Sequence, residues 1–256
     1  MKFIGCIIME FSRIADNKRV NFITDAISKN VTPGEAVLDV GCGNGIISRA
    51  VGAMGYEVTG IDSSVKTIEA AQSSNNLPNV KFIVTPAGEL TPEPGKYAAI
   101  ICSEVLEHLE DPAFLLGILK KSLKDNGILL VTVPNGKGPR ERFVTKPVQY
   151  LQAKNNFIWK LVSAVKKTLG YTGITVQSSA DDLSHIQFYT YKTLSELAQS
   201  QGFRITGIKK SNFIEQVFPF SLIMKRSKKL QQFDCRLADI LPLSFTSGFM
   251  TMWRKI

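Results

Sequence analysis

Over the first 133 residues, short apolar runs alternate with longer stretches in which apolar residues recur at helical spacing. Val37–Val40, Glu57–Ile61, Lys81–Val84, Ala98–Cys102 and Ile128–Val133 are short and rich in β-branched residues, and most are nearly continuous in apolar character. That is the pattern of parallel strands covered on both faces. Between them, Ile46–Met54, Ser64–Asn75 and Ala113–Leu123 predict helices, and a helix over about Asn17–Asn30 carries Val20, Ile23 and Ile27 on one face. Asp111-Pro112 is a start signal for the helix at Ala113, and Asn126-Gly127 is a stop signal after it. Strands alternating with helices predict the α/β class, built as a doubly wound, mostly parallel sheet.

The rhythm breaks after Val133. Residues 134–184 hold turn signals (Pro134-Asn135-Gly136, Gly138-Pro139) and then a basic amphipathic stretch, Asn156–Leu169, with Ile158, Leu161, Val162, Val165 and Leu169 on one face. A helix at Thr193–Gln201, stopped by Gly202, and a strand at Phe203–Lys209 restore the alternation. An irregular apolar stretch follows, and Ser247–Trp253 reads as a seventh strand. The expectation is one domain over 1–256 with two insertions, at 134–184 and 212–243, forming a cap over the acceptor side of the sheet.

With 256 residues, 44% hydrophobic and 21% charged, the composition is that of a globular chain and excludes disordered, collagen-like and repeat classes. Cys6, Cys42, Cys102 and Cys235 show no paired spacing, which fits a reducing, cytosolic setting better than a disulfide framework or a thiolate metal site. No run approaches the length of a membrane-spanning helix. The stretch Phe3–Met9 is too short, and followed by the wrong residues, for a signal peptide. Charge is unevenly spread: residues 1–130 carry 12 Lys/Arg against 15 Asp/Glu, whereas 131–256 carry 19 against 7. The basic half points to an anionic partner: a phosphorylated substrate, an acidic membrane surface or nucleic acid.

The chemistry concentrates at the ends of the first, second and fourth strands. Leu38-Asp39-Val40-Gly41-Cys42-Gly43-Asn44-Gly45 closes one strand and opens a helix, and its alternating glycines permit a tight turn and close approach of a ligand to backbone. A tight strand-to-helix turn alone would account for the glycines equally. Gly60-Ile61-Asp62 follows about 20 residues on, where a carboxylate can accept from both hydroxyls of a ribose. The two together specify a nucleoside. A dinucleotide loop would need a different glycine spacing.

These segments, with Ser103-Glu104-Val105-Leu106-Glu107-His108-Leu109 after the fourth strand, resemble class I S-adenosylmethionine-dependent methyltransferases of Rossmann-like fold. Within that superfamily the chain is most similar to the ubiquinone-biosynthesis O-methyltransferase branch and its relatives in glycan gene clusters. The resemblance covers about residues 15–135 and resumes more weakly from His185 to Phe203. It implies that Gly41, Cys42 and Gly43 pass under the methionine part of S-adenosylmethionine, with Asp39 beneath the loop near its amino group. Asp62 would hold the ribose, Ser63 and Ala87 would lie beside the adenine, and Ser103 beside the sulfonium. Arg19 would reach the cofactor carboxylate; as a solvated helix arginine it would do nothing of the kind. Two departures stand out. Pro86 occupies the place where the family often has an aspartate on the adenine amino group, and Ala98 replaces the usual aspartate after Tyr97.

Glu104, Glu107 and His108 stand at i, i+3 and i+4, so a helical turn would put them on one face. By resemblance they could hold Mg²⁺. In the other reading the acids cap a turn and His108 lines the acceptor pocket. His185, the only other histidine, falls where relatives bring a histidine to the acceptor, or is a loop histidine satisfied locally. The candidate catalytic groups are therefore His108, His185 and Glu104. The resemblance implies methyl transfer to a hydroxyl oxygen, of a quinone precursor or a glycan; the basic and apolar insertions point to a small or lipid-linked acceptor met by a cytoplasmic protein able to sit peripherally on the membrane. The alternatives are an RNA methyltransferase, drawn by the basic half, and a cofactor-binding protein without catalysis.

Overall fold

The computed structural model describes residues 13–153 and 185–256. Its strands are β1 (Ala36–Val40), β2 (Glu57–Asp62), β3 (Val80–Val84), β4 (Tyr97–Ser103), β5 (Leu123–Pro134), β6 (Phe203–Lys210) and β7 (Gly248–Lys255). They form one sheet in the order β3-β2-β1-β4-β5-β7-β6. All neighbours are parallel except β7, which runs antiparallel between β5 and β6. The chain steps outward from β1 to β3 and then returns to β4 on the other side of β1, so a crevice opens over the carboxyl ends of β1 and β4.

Side chains of the central strands alternate between two cores, as the two-residue period of a strand requires. Val37, Ala99 and Ile101 face α1 (Ile14–Asn30), α2 (Ile46–Gly52) and α3 (Val65–Ser73), where Ile23, Ile27, Val51 and Ile68 are buried. Leu38, Ile100 and Leu129 face the opposite way. There they meet Leu115, Leu116 and Leu119 of α4 (Pro112–Ser122) and, beyond α5 (Lys146–Ala153), Leu194 and Ala198 of α6 (Tyr191–Ser200). Burial on both faces explains the continuous apolar runs. The helix starts are capped by their own sequence: Ser64 accepts from Thr67 N, Asp111 accepts from Phe114 N at 3.0 Å with Pro112 following, and Thr190 and Thr193 cap each other reciprocally.

Two expectations need correction. The strand expected at Ile128 begins at Leu123, pairing through an irregularity between Tyr97 and Ala99. The stretch 212–243, expected to be irregular, contains α7 (Phe220–Met224) and α8 (Lys228–Ile240). The inward face of α8 is partly polar (Gln231, Asp234, Cys235, Ala238), while Leu230, Phe233 and Ile240 are exposed, so the apolar periodicity pointed the wrong way. Polar contacts tie α8 to α1: Ile14 N donates to Gln231 Oε1 (3.0 Å), and Lys18 Nζ reaches Cys235 O (3.3 Å) and Asp239 Oδ1 (2.7 Å). The basic stretch Asn156–Leu169 lies outside the described residues.

Candidate functional site

The loop after β1 requires its glycines. Gly41, Gly43 and Gly45 have φ of 67, 56 and 76°, in the left-handed region that side chains disfavour. A Cβ on Gly41 would lie 2.4 Å from Val105 Cγ2, and one on Gly45 would lie 2.3 Å from Phe82 Cζ. Cys42 N donates to Ile61 O (3.0 Å) and Gly45 N to Cys42 O (3.0 Å), which locks the turn against β2.

Asp62 closes this arrangement. Its Oδ2 accepts from Gly43 N at 3.0 Å and its Oδ1 from Ser64 N at 2.9 Å, so one carboxylate joins the glycine loop to the start of α3. A carboxylate has about four acceptor positions, and the two backbone contacts leave acceptor capacity at this partly exposed group for a diol. Ser63 beside it is exposed. Thr85 N donates to Asp62 O (2.9 Å), which brings the exit of β3, and the short 3-10 turn Ala87–Glu89, alongside. Asp39, two residues before Gly41 on β1, is only 1% exposed, with its Oδ2 accepting from Ser48 Oγ at 2.6 Å. Burial, opposed by the Ser48 hydrogen bond and reinforced by the nearby Asp62 charge, pushes its carboxyl up to about 7. Cys42 contributes to the loop through its backbone. Its side chain is buried in the core beside Phe82, and burial pushes its thiol up.

At the end of β4, Ser103 Oγ and Thr132 Oγ1 are 2.9 Å apart, and Thr132 Oγ1 donates to Glu104 Oε1 at 2.8 Å. Glu104 has φ of 57°, a strained value for a residue with a side chain. That left-handed step corrects the expectation of a shared helical face: the chain enters a 3-10 turn, Leu106–His108, and Glu104, whose carboxylate Thr132 and Arg19 hold, does not join Glu107 and His108 in one ligand set. Its carboxylate lies 3.5 Å from Arg19 Nη1, and Arg19 Nη2 donates to Asp16 Oδ1 at 3.1 Å. Arg19 is thus held at the site by two acids rather than loose on a helix surface.

The residue that does join Glu107 and His108 is His185. Among the described residues, these three bring ligand-type atoms within 4.8 Å of one another, and the two imidazoles meet edge to face with centroids 5.1 Å apart. Ile186 N and Gln187 N both donate to Glu107 O (2.8 and 2.9 Å), which fixes the His185 segment on the 3-10 turn. Glu107 is 1% exposed and, among the described residues, neither carboxylate oxygen meets a hydrogen-bonding side chain; burial first, and the Glu104 charge second, hold its carboxyl well above the ordinary range. Mg²⁺ does not fit this set. It takes hard oxygen ligands, whereas two of the three groups here are imidazoles and the second expected carboxylate, Glu104, faces Arg19 and Thr132. Sequence reasoning missed Glu141, wholly buried with its Oε1 3.4 Å from His185 Nδ1; a lone glutamate in a basic insertion gave no signal. A cleft lined by Arg13, Asp16, Arg19, Glu104, Arg140 and Asn212, among others, opens between α1 and the segment joining β6 to β7; of the candidate site residues, Arg19 and Glu104 line it.

A loop of left-handed glycines over a buried aspartate, a second aspartate clasping it, and an acid–imidazole cluster at the next strand end define the nucleoside-binding class of α/β fold anticipated from the sequence. Residues 14–207 match the family described as Methyltransferase domain, and the chain belongs to that family. It is 36% identical over 106 residues to a ubiquinone biosynthesis O-methyltransferase of Xanthomonas campestris pv. campestris, an alignment spanning 40% of this chain and 44% of that protein. It is 32% identical over 124 residues to the mitochondrial ubiquinone biosynthesis O-methyltransferase of Schizosaccharomyces pombe, spanning 46% and 45%. The matched segments thus cover less than half of each of these relatives. The fold is also that of an S-adenosylmethionine-dependent methyltransferase from Mesorhizobium loti, with a TM-score of 0.59 at 15% identity over 94% of this chain and 100% of that one. It is similar to a magnesium protoporphyrin IX methyltransferase from Synechocystis with bound SAH, with a TM-score of 0.55 at 17% identity over 95% and 84% of the two chains.

Proposed function

We propose that this chain transfers the methyl group of S-adenosylmethionine to a hydroxyl oxygen of a small or lipid-linked acceptor, such as a quinone precursor or a glycan. The observation that carries the reading is the placement of two half-sites on adjoining strand ends. The glycine loop and Asp62 follow β1 and β2, while Glu104 after β4 and Thr132 of β5 line a cleft, and the Glu107–His108–His185 cluster follows Glu104 in the fold. When bound, S-adenosylmethionine supplies an electrophilic methyl on a sulfonium. Asp62 accepts from the ribose hydroxyls, the backbone of Gly41 and Gly43 supports the methionine part, and Asp39 places a carboxylate beneath its amino group. Ser63 and Ala87 flank the adenine, Ser103 borders the sulfonium, and Arg19 meets the cofactor carboxylate. The acceptor enters the cleft capped by the segment between β6 and β7, and an imidazole takes its proton. Most of the acceleration comes from holding the acceptor oxygen in line, with a positioned base contributing about 10²–10⁴-fold.

A hydroxyl acceptor is supported by the likeness to ubiquinone O-methyltransferases. A lipid-linked one is supported by the second insertion, where exposed Phe218, Phe220, Ile223 and Phe233 accompany Lys225, Arg226, Lys228 and Lys229. That pairing of apolar and basic groups suits a peripheral protein on an anionic leaflet. Incubation with S-adenosylmethionine labelled in its methyl group and a bacterial lipid extract tests this. The expected product is lipid-soluble label stable to alkali, as an ether is. Label recovered only in RNA, or only as an alkali-labile ester, would overturn the reading.

A further inference from the structure

The segment leaving β5 is built to deliver one buried carboxylate to one histidine. Asn135, itself buried, donates through Nδ2 to Leu243 O (3.1 Å) and Thr246 O (2.8 Å), and Gly136 N donates to Tyr189 O at 2.7 Å. A Cβ on Gly136 would lie 2.6 Å from the Phe188 carbonyl carbon, and one on Gly138 would lie 2.4 Å from Thr246 O, so this backbone is clamped on both sides. The chain then enters a π-helical turn, Glu141–Thr145, a rare and costly conformation that recurs at functional sites. Glu141 opens it. The His185 side is anchored independently, through the two amides that Ile186 and Gln187 donate to Glu107 O. Carboxylate and imidazole are therefore brought to 3.4 Å, an ion-pair separation from which a small ring rotation would make a hydrogen bond, by two separately fixed pieces of backbone, 44 residues apart in sequence.

We propose that Glu141 is a positioning residue for His185: it holds the ring with Nδ1 protonated, so that Nε2 carries the lone pair presented to the acceptor. Which imidazole nitrogen bears the proton is set by the hydrogen bond the other makes. Burial by itself would raise the Glu141 carboxyl, yet His185 first, then the Arg140 charge and the Thr145 side chain, hold it below the ordinary range, which keeps it a charged acceptor beside Nδ1. The inference rests on the methyl-transfer reading for its purpose. In that reaction the acceptor oxygen bonds to the methyl carbon as the carbon–sulfur bond breaks and its electron pair stays on sulfur. The hydroxyl proton passes to His185 Nε2. The resulting imidazolium is balanced by the Glu141 carboxylate, and S-adenosylhomocysteine leaves.

The chain has only two histidines, so long-range proton–nitrogen correlation spectra of the full protein, labelled with ¹⁵N, report both tautomers directly. The His108→Gln variant assigns the remaining ring. At about pH 8.5, where unperturbed imidazole is neutral, His185 is expected to be mainly the Nδ1–H tautomer. Glu141→Gln keeps an acceptor oxygen and should keep that tautomer; Glu141→Leu should revert it to Nε2–H with the amide spectrum otherwise native. A wild-type His185 that is Nε2–H overturns the proposal, as does a folded Glu141→Leu protein with its tautomer unchanged. Neither readout needs an acceptor, so failure to find methyl transfer to any hydroxyl would count against the functional reading alone. With an acceptor in hand, Glu141→Leu should lower kcat at least tenfold while leaving the KM for S-adenosylmethionine unchanged.

Discussion

Asp39 stores a conflict between stability and ligand binding. Its folded carboxyl sits at about 7, whereas its ordinary value is 3.8. Between those values the folded protein keeps a proton that the unfolded chain has lost, so this group makes stability fall as pH rises from about 4 to about 7 and leaves it flat above. By the usual conversion the full effect is roughly 4 kcal/mol. Asp39→Asn, which imitates the protonated form, is therefore expected to be more stable than wild type at pH 8 in the absence of cofactor, and nearly equal to it at pH 4. Urea unfolding at the two pH values checks this; a parallel pH dependence in both proteins would remove the buried charge as its cause. At this scale the sequence was legible where function is local. The glycines, Asp39 and Asp62 lie within one strand–loop–helix–strand stretch whose turn chemistry leaves few alternatives. The acid–imidazole cluster was legible only in part. Helical spacing grouped Glu104 with Glu107 and His108, but one left-handed residue at Glu104 undid that grouping, and the true third member, His185, arrives from a distant segment. Glu141 carries no local mark at all.

Among the elements, the insertion between β6 and β7 is tied together by one buried carboxylate. Asp234, 1% exposed on α8, accepts from the backbone N–H of Phe213 (3.0 Å), Ile214 (3.0 Å) and Glu215 (3.2 Å). Glu215 in turn accepts from Arg13 Nε at 3.1 Å, at the cleft wall. Hydrogen bonds to a charged group contribute about 1.5–3 kcal/mol each, and three amides, that of Glu215 buried and those of Phe213 and Ile214 half-buried, lose this acceptor when it is removed. Asp234→Ala should therefore loosen 213–215 and α8 selectively, seen as lost amide hydrogen-exchange protection there while β1, β4 and β5 stay protected. Uniform loss of protection would mean that the insertion is not a separable unit, and unchanged protection would mean that other contacts hold it. The polar inward face of α8 also shows why this region read as irregular. Periodicity locates helices by the apolar face they bury, and α8 buries glutamine, aspartate, cysteine and alanine while exposing Leu230, Phe233 and Ile240. The central strands β1, β4 and β5 were legible for the opposite reason, since they bury their apolar residues beneath helices on both faces of the sheet.

For the whole molecule, the basic half and the exposed apolar residues of the second insertion belong to one expectation. Residues 137–167 carry eight Lys/Arg against one glutamate, and each such cation near an anionic leaflet contributes about 1 kcal/mol. Co-sedimentation with phosphatidylglycerol vesicles is expected in low salt, weakened in high salt and absent with neutral vesicles. Tight RNA binding with no vesicle binding would favour a nucleic-acid acceptor instead. The central claim, that the glycine loop and Asp62 form the seat of S-adenosylmethionine, has a more direct test that needs no acceptor. Isothermal titration of wild type and Asp62→Ala with S-adenosylmethionine compares a site with and without the charge-assisted contacts to the ribose diol, each of them about 1.5–3 kcal/mol. The expected result is saturable binding by wild type and at least tenfold weaker binding by the variant, with both proteins folded. Equal affinity in the two would contradict the account.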